Sequence, residues 1–288
     1  MDDELFNALY QIAEHLWPHR EKRVQFSGRL IVLMYLWSVI RGKPRGWVCD
    51  PRNQPALLQQ VPTPSPSRFR RRVREPGFRQ MLAEMETHCR GLPHDRLVGC
   101  WTVDAKPLPV SPYSKDKEAK WGWACDRKAR GYKLFAMTDA QDRMVAWQVK
   151  PMNASEPVVA RTLLEATDRP GYVLGDSIYD SGPLHESAAD RDLQLIAPRK
   201  EPGGNIGKRA RQPTRLHAID MLETFCNGFG PSIYTQRTDI ERTFSFMASS
   251  RVGLDHLPPF VRTLERVRLW VQGKIILYAL LKTNRLRQ

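Results

Sequence analysis

The stretch from residue 97 to residue 197 constrains the fold more than any other, because the hydrophobic pattern there stops being helical and begins to alternate. Residues 97–103, 132–138 and 144–149 are short runs with strand character, and Asp139-Ala-Gln-Asp142 between the last two reads as a hairpin turn. Residues 155–167 read as a helix opened by Ser155, with Glu156 and Pro157 in its first turn. A strand at 172–175, a helix at 183–190 and a strand at 193–197 follow. Three strands, then helix, strand, helix, strand predict an α/β domain with helices packed on a mixed central sheet.

The residues before this stretch read as helical. Leu5, Leu9, Ile12 and Leu16 recur at helical spacing, and residues 30–40 form an apolar run suited to a buried helix. Gly42, Pro44 and Gly46 break the pattern, and residues 56–60 suit a short helix. The turn-rich Val61-Pro-Thr-Pro-Ser-Pro-Ser67 follows, and Ser65 or Ser67 can cap the Arg-rich segment Arg68-Phe-Arg-Arg-Arg-Val-Arg74. Window 68–79 holds six arginines against one glutamate, with Phe69, Val73 and Phe78 as anchors. Short helix, polar turn and basic helix predict a helix-turn-helix-like reader of DNA, in which Arg68, Arg70, Arg71, Arg72 and Arg74 hold the duplex. The same pattern suits a solvated basic helix joining two domains. The boundary falls near residue 95, giving a helical domain over 1–95 and an α/β domain over 96–288.

The 288 residues carry 45 Lys and Arg against 31 Asp and Glu, a net charge of +14. Residues 96–198 are neutral, whereas residues 1–95 carry +5 and residues 199–288 carry +9. A neutral core flanked by basic segments points to a polyanionic partner, chiefly nucleic acid. Residues 199–217 are basic and loop-like, with Lys200, Arg209 and Arg211 available to phosphates. Five scattered cysteines form no CxxC pair, and no zinc spacing occurs even around His15 and His19. These features favour reduced thiols in a cytoplasmic protein. The N-terminus is acidic, unlike a secretory signal, and the apolar runs are too short or interrupted to span a bilayer.

Asp104 closes Cys-Trp-Thr-Val-Asp and Asp176 closes Tyr-Val-Leu-Gly-Asp, each where a predicted strand ends. Such positions fix the backbone while the carboxylate reaches a crevice, although either could simply cap the next turn. In Tyr234-Thr-Gln-Arg237-Thr-Asp-Ile-Glu241 the three named residues fall on one helical face. Arg237 and Glu241 suit an i,i+4 ion pair, or a phosphate-binding fork beside a metal-binding carboxylate. Three carboxylates, Asp104, Asp176 and Glu241, suit two hard cations, Mg²⁺ or Mn²⁺, for in-line displacement at phosphorus.

These residues resemble the DDE transposases of bacterial insertion sequences that carry a Tyr-x2-Arg-x3-Glu-x6-Lys signature. Tyr234, Arg237 and Glu241 match in register, and Asp104 in Thr-Val-Asp-Ala-Lys-Pro-Leu looks like the first aspartate. Asp176 in Gly-Asp-Ser-Ile-Tyr-Asp-Ser looks like the second, and Ala129-Arg-Gly-Tyr-Lys-Leu134 and Pro151-Met-Asn-Ala154 also fit. The signature lysine is replaced by Ala248. Arg242 and Arg251 are the basic residues nearby, and Arg242 is taken with Tyr234 and Arg237 as a DNA contact.

The resemblance implies an RNase H-like core with a catalytic and metal-binding set of Asp104, Asp176 and Glu241, and a basic insertion around 199–230 between the second aspartate and the glutamate. It also implies Mg²⁺-dependent cleavage and strand transfer at terminal inverted repeats, and a homodimer on double-stranded DNA. A bacterial, nucleoid-associated location without membrane contact follows. A nuclease of the same fold without strand transfer and a catalytically silent DNA-binding relative are the alternatives.

Overall fold

The computed structural model describes residues 1–19, 24–91, 99–124, 126–201, 206, 212–224 and 228–285. They divide into two units, Met1–Leu92 with Met247–Gln288, and Pro93–Phe246. The C-terminal residues 247–288, expected to extend the α/β domain, therefore group with the N-terminal helices.

The first unit is helical: α1 (Asp2–Leu16), α2 (Gly28–Ile40), α3 (Pro66–Arg72), α4 (Pro76–Arg90) and α10 (Leu264–Arg285). Helix α1 buries Leu5, Phe6, Leu9 and Ala13 along one stripe. Helix α2 is apolar on every side and is buried accordingly from Ile31 to Val39, with the Ser27 side chain accepting from Leu30 N at 3.2 Å as its cap. Pro66 opens α3 behind Ser65, whose hydroxyl accepts from Arg68 N. Phe69 and Val73 are the buried anchors of that basic segment. Helix α4 has no separate counterpart in the sequence reading, although Phe78, Leu82, Met85 and Cys89 are buried at helical spacing. It packs with α2 and α10. The helix expected over 56–60 is one 3₁₀ turn, Ala56–Leu58, the last of three such turns between α2 and the loop to the Arg-rich helix.

The second unit is a six-stranded mixed sheet of β1 (Gly99–Pro109), β2 (Lys120–Ala124), β3 (Arg127–Asp139), β4 (Met144–Pro151), β5 (Gly171–Leu174) and β6 (Leu193–Ile196). Strand β3 pairs antiparallel with β1 on one side and with both β4 and β2 on the other. Strands β5 and β6 extend the sheet in parallel from β1. The hairpin turn at 139–142 is present: the Asp139 carboxylate accepts from Gln141 N and Arg143 N, and Asp142 takes the positive φ that the turn needs. Strand β2 escapes the sequence reading because Trp121 and Trp123 are exposed on it, so no buried alternation marks it.

Helices α5 (Glu156–Leu163) and α6 (Gly182–Ala189) cross between the parallel strands. They close a core containing Trp101, Val103, Phe135, Met137, Val173 and Leu195 on one face of the sheet. On the opposite face Leu174 and Ile196 meet Met221 and Ile233. This second layer consists of α7 (Pro213–Ile219), a π-helical turn Asp220–Thr224, and α8 (Phe229–Tyr234). Residues 213–217, expected as loop, are helical because Pro213 sits at the first position and the Gln212 side chain caps Arg215 N at 2.8 Å. The helix expected from Tyr234 onward is interrupted: a 3₁₀ turn, Thr235–Arg237, separates α8 from α9 (Thr238–Ala248). Among the described residues no helix is long and apolar enough to cross a membrane.

Candidate active site

The two aspartates owe their proximity to strand register. Strands β1 and β5 pair from Gly99↔Gly171 to Thr102↔Leu174, so Asp104 and Asp176 occupy equivalent positions two residues beyond the last pair. Asp104 does not end its strand. It lies mid-strand opposite Ala136, because β3 continues to pair with β1 as far as Pro109. It is β5 that stops, leaving the β1 edge open where Asp104 stands. Side chains alternate along a strand. Trp101 and Val103 enter the core under α5 and α6, whereas Cys100, Tyr172 and Leu174 lie on the other face with Ile233 and Tyr234. Asp104 and Asp176 share that second parity and so project towards the layer that carries Tyr234, Arg237 and Glu241.

Asp176 caps the 3₁₀ turn Ser177–Tyr179 by accepting from Ile178 N at 2.8 Å. Asp104 accepts from Ala105 N at 2.7 Å. Burial is the main influence on Asp104 and pushes its carboxyl up to about 7. The carboxylates of Asp176 and Glu156 push the same way, against the Ala105 hydrogen bond and the Arg237 guanidinium. A desolvated carboxyl beside a second carboxylate suits a hard cation, whose charge would favour the ionised form.

The Tyr234 hydroxyl donates to Gly175 O at 3.2 Å, fastening the end of α8 to the residue before Asp176. One 3₁₀ turn later Arg237 Nη1 donates to Glu241 Oε1 at 2.5 Å. Burial raises the Tyr234 phenol, opposed by Arg237 and assisted by Asp176, Glu241 and Asp104, so this side chain feels all three acids. Burial would lower the Arg237 pKa, but Glu241 and Asp104 hold it above its usual value. Arg237 Nε is buried with no hydrogen-bond partner. The structure therefore brings Asp104, Asp176, Tyr234 and Arg237 together and adds Glu241 through Arg237. The Glu241 side chain remains 51% exposed. Among the described residues no group of three or more His, Cys, Asp or Glu is arranged to hold a metal ion.

Asp180, four residues after Asp176, has a different role. Burial would raise its carboxyl, yet the hydrogen bonds and charge of Arg215, with the His185 imidazole 3.4 Å away, hold it at about 2. Arg215 Nε and Nη2 both reach it at 2.6 Å, a bidentate clasp between α7 and the loop before α6. Asp180 is thus committed to the fold through an ion pair, whereas Asp176 accepts from the backbone at Ile178 N.

Sequence reasoning missed three residues at this site. Lys133 Nζ donates to Glu156 Oε1 at 2.6 Å, with side chains only 9% and 12% exposed. The Tyr179 hydroxyl donates to the other Glu156 oxygen at 3.2 Å. Glu156 reads in the sequence as an ordinary first-turn helix acid, and nothing in its spacing to Lys133 signals the pair. The pair anchors the start of α5 on β3, beside Asp104.

The remaining predicted contacts are dispersed. Arg242 is exposed and pairs with Asp239 at 2.5 Å. Arg68 hydrogen-bonds Gln25 and lies over the Phe26 ring, and Arg72 pairs with Glu75 at 2.7 Å. Arg71 and Lys200 are exposed, and Arg70 and Arg74 line a cavity in the helical unit. Arg209 and Arg211 lie outside the described residues. Ala248 ends α9 and is half-buried.

Comparison with curated proteins gives no match. Among solved structures the chain resembles a piggyBac transposase synaptic complex with hairpin DNA determined by cryo-EM, at 10% identity and a TM-score of 0.44. That likeness covers 96% of this chain and 70% of the other. A model of the transposase DDE domain matches residues 101–280. That match spans more than half of a chain in which register brings Asp104 and Asp176 side by side, and the protein belongs to the DDE transposase family.

Proposed function

We propose that this protein is a divalent-metal-dependent DNA transposase with an RNase H-like core, which cuts the inverted-repeat ends of its own element and joins them to target DNA. The observation that carries this reading is the register-matched Asp104–Asp176 pair, with the Arg237–Glu241 pair tethered beside it through Tyr234. Asp104 and Asp176 would hold the metal, with Glu241 as the third carboxylate. The donor set is all hard oxygen, which selects Mg²⁺ or Mn²⁺ over zinc. Bound metal supplies activation of the attacking oxygen and neutralisation of charge on the departing one.

The chain's own part is positioning. Arg237 would exchange Glu241 for a non-bridging oxygen of the scissile phosphate, offering its unpartnered Nε to substrate and leaving the Glu241 carboxylate available as the third oxygen donor. Tyr234 keeps this turn against Gly175 while the exchange occurs. Lys133 and Glu156 hold α5 in place beneath Asp104. In the first step a water oxygen bonds to phosphorus, the bond from phosphorus to the 3′-oxygen breaks, and the proton lost by the water is matched by one taken up from solvent by that departing oxygen, leaving a 3′-hydroxyl. In the second, the freed 3′-hydroxyl attacks a target phosphodiester in the same way. The Arg-rich α3 would hold the repeat in a helix-turn-helix-like manner, and joining two ends calls for a homodimer on DNA. Ala248, in place of a signature lysine, favours a second reading, a relative that binds DNA and does not cut.

Strand transfer separates these readings. Pre-cut ends carrying the gene's own flanking sequence are incubated with a supercoiled target in Mg²⁺. Joined products from 3′-hydroxyl ends, and none from 3′-deoxy ends, are expected. Cutting without joining identifies a nuclease, and binding without either identifies the silent relative.

A further inference from the structure

The helical unit contains a cavity of about 360 Å³ at the junction of the loop after α2, helix α3 and the start of α10. Its walls carry five cationic side chains, Lys43, Arg45, Arg70, Arg74 and Arg266, and neither an aspartate nor a glutamate. Several other arginines of the same unit have acidic partners: Arg41 with Asp2, Arg52 with Asp50, Arg72 with Glu75 and Arg79 with Glu265. None of the five around the cavity forms an ion pair among the described residues. Gathering like charges around one hollow without counter-charge is unfavourable unless an anion completes it.

Two buried donors make the same demand. The Tyr35 hydroxyl and Trp270 Nε1 both belong to residues that line this cavity, and their side chains are 1% and 4% exposed. Trp270 Nε1 has no hydrogen-bond partner, and the Tyr35 hydroxyl, which has the Arg45 guanidinium beside it as a donor, has no acceptor for its own proton among the described residues. The guanidinium of Arg45 lies over the Tyr35 ring, 5.3 Å from its centroid, but arginine has no acceptor to offer the hydroxyl proton. Burial raises the phenol to about 12 despite Arg45, so Tyr35 remains a donor at neutral pH. Phe260 packs edge-on against Trp270 at 5.6 Å and fixes the indole plane. An unsatisfied buried polar atom is costly and rare, and two in one wall require explanation. The polar side-chain groups of the cavity are thus all donors, and five are charged. The complementary ligand is an anion with only acceptors, large enough to meet several arginine forks at once.

We infer that this cavity binds a phosphate group, gripped by Arg70, Arg74, Arg266 and Lys43, with the Tyr35 hydroxyl and Trp270 Nε1 as further donors in the wall behind them. A backbone phosphodiester of DNA and a free phosphate compound offer the same oxygens. The DNA arm of the test rests on the function proposed above, and the free-phosphate arm does not.

Inorganic pyrophosphate is titrated into the full chain by calorimetry, with sodium chloride matched for ionic strength. Wild type is compared with Arg70→Gln/Arg266→Gln, with Tyr35→Phe and Trp270→Phe, and with Arg52→Gln as control. Arg70, Arg266 and Lys43 have exposed side chains, so their replacement leaves the core intact. Affinity is expected to fall by about tenfold or more in the double arginine variant and by several-fold in each aromatic variant, and to be unchanged in the control. In a second arm pyrophosphate competes with a short labelled duplex. Displacement from wild type, with a salt slope lower by about one in the double variant, identifies a backbone phosphate as the ligand. Pyrophosphate binding without displacement still supports the site and identifies a free phosphate compound. Equal pyrophosphate affinity in wild type and the double arginine variant overturns the inference. Should that variant misfold, Lys43→Gln carries the same comparison.

Discussion

Asp104→Asn is expected to make the metal-free protein more stable at the cost of its chemistry. Burial lifts the Asp104 carboxyl from its ordinary 3.8 to about 7. An acid whose pKa is higher folded than unfolded binds its proton more tightly in the fold. Below about pH 4 both states are protonated and nothing is lost. Between about pH 4 and pH 7 the unfolded state gives up this proton while the fold still holds it, so stability falls across that window and levels off above 7, where the fold too is ionised against burial and against Asp176 and Glu156. The gap between the two pKa values is worth about 4 kcal/mol at most, at about 1.4 kcal/mol per pH unit. Asparagine keeps the oxygen that accepts from Ala105 N, so the local hydrogen bond survives.

Denaturant unfolding in EDTA is the assay. Asp104→Asn should exceed wild type by about 2–4 kcal/mol at pH 8, with the gap closing as the pH is lowered towards 4. Added Mg²⁺ should stabilise wild type and leave the variant unmoved, since only the state that binds the ion gains by mass action. A variant less stable than wild type at pH 8, or a gap independent of pH, refutes the reasoning.

Other substitutions separate fold from chemistry. Asp180→Asn breaks the Arg215 clasp and should cost about 3 kcal/mol at pH 7 in denaturant unfolding. Because the Asp180 carboxyl is held at about 2, the penalty should shrink as the pH falls through 4 towards 2. A Cβ on Gly175 would stand 2.9 Å from Tyr179 Cβ and 3.0 Å from its ring. Gly175→Ala should therefore displace Tyr179, cost about 1–3 kcal/mol and depress DNA cleavage in a gel assay. Arg237→Lys keeps the charge and loses the fork. Cleavage should fall about tenfold or more while the thermal midpoint moves little, because such an i,i+4 pair is worth only a few tenths of a kcal/mol.

The alternation of strand and helix over 97–197 was legible because buried strands and crossover helices write their periods into the sequence, and the hairpin turn at Asp139–Asp142 was legible for its turn residues. Asp104, Asp176 and the Tyr234–Glu241 turn were legible as motifs. Their geometry was not. That Asp104 sits mid-strand follows from the β1–β3 pairing running on to Pro109, seven residues past the last β1–β5 pair at Thr102, a property of two partners at once. The Lys133–Glu156 pair joins residues far apart in sequence, each ordinary in its own segment. The grouping of α10 with the N-terminal helices was hidden for the same reason, since an apolar helix records that it is buried and not against what. Strand β2 lacked a buried face, and the interruption of the helix at 235–237 left no proline or glycine to mark it.

The most direct measurement is Mg²⁺-dependent nicking of labelled duplex carrying the gene's own flanking sequence, by wild type and by Glu241→Gln. Cleavage at a defined end by wild type, with Glu241→Gln binding the same duplex and leaving it uncut, is the predicted result. Equal cleavage by the two proteins, or binding without cleavage by wild type in both Mg²⁺ and Mn²⁺, would contradict the assignment of Asp104, Asp176 and Glu241 as the cutting site.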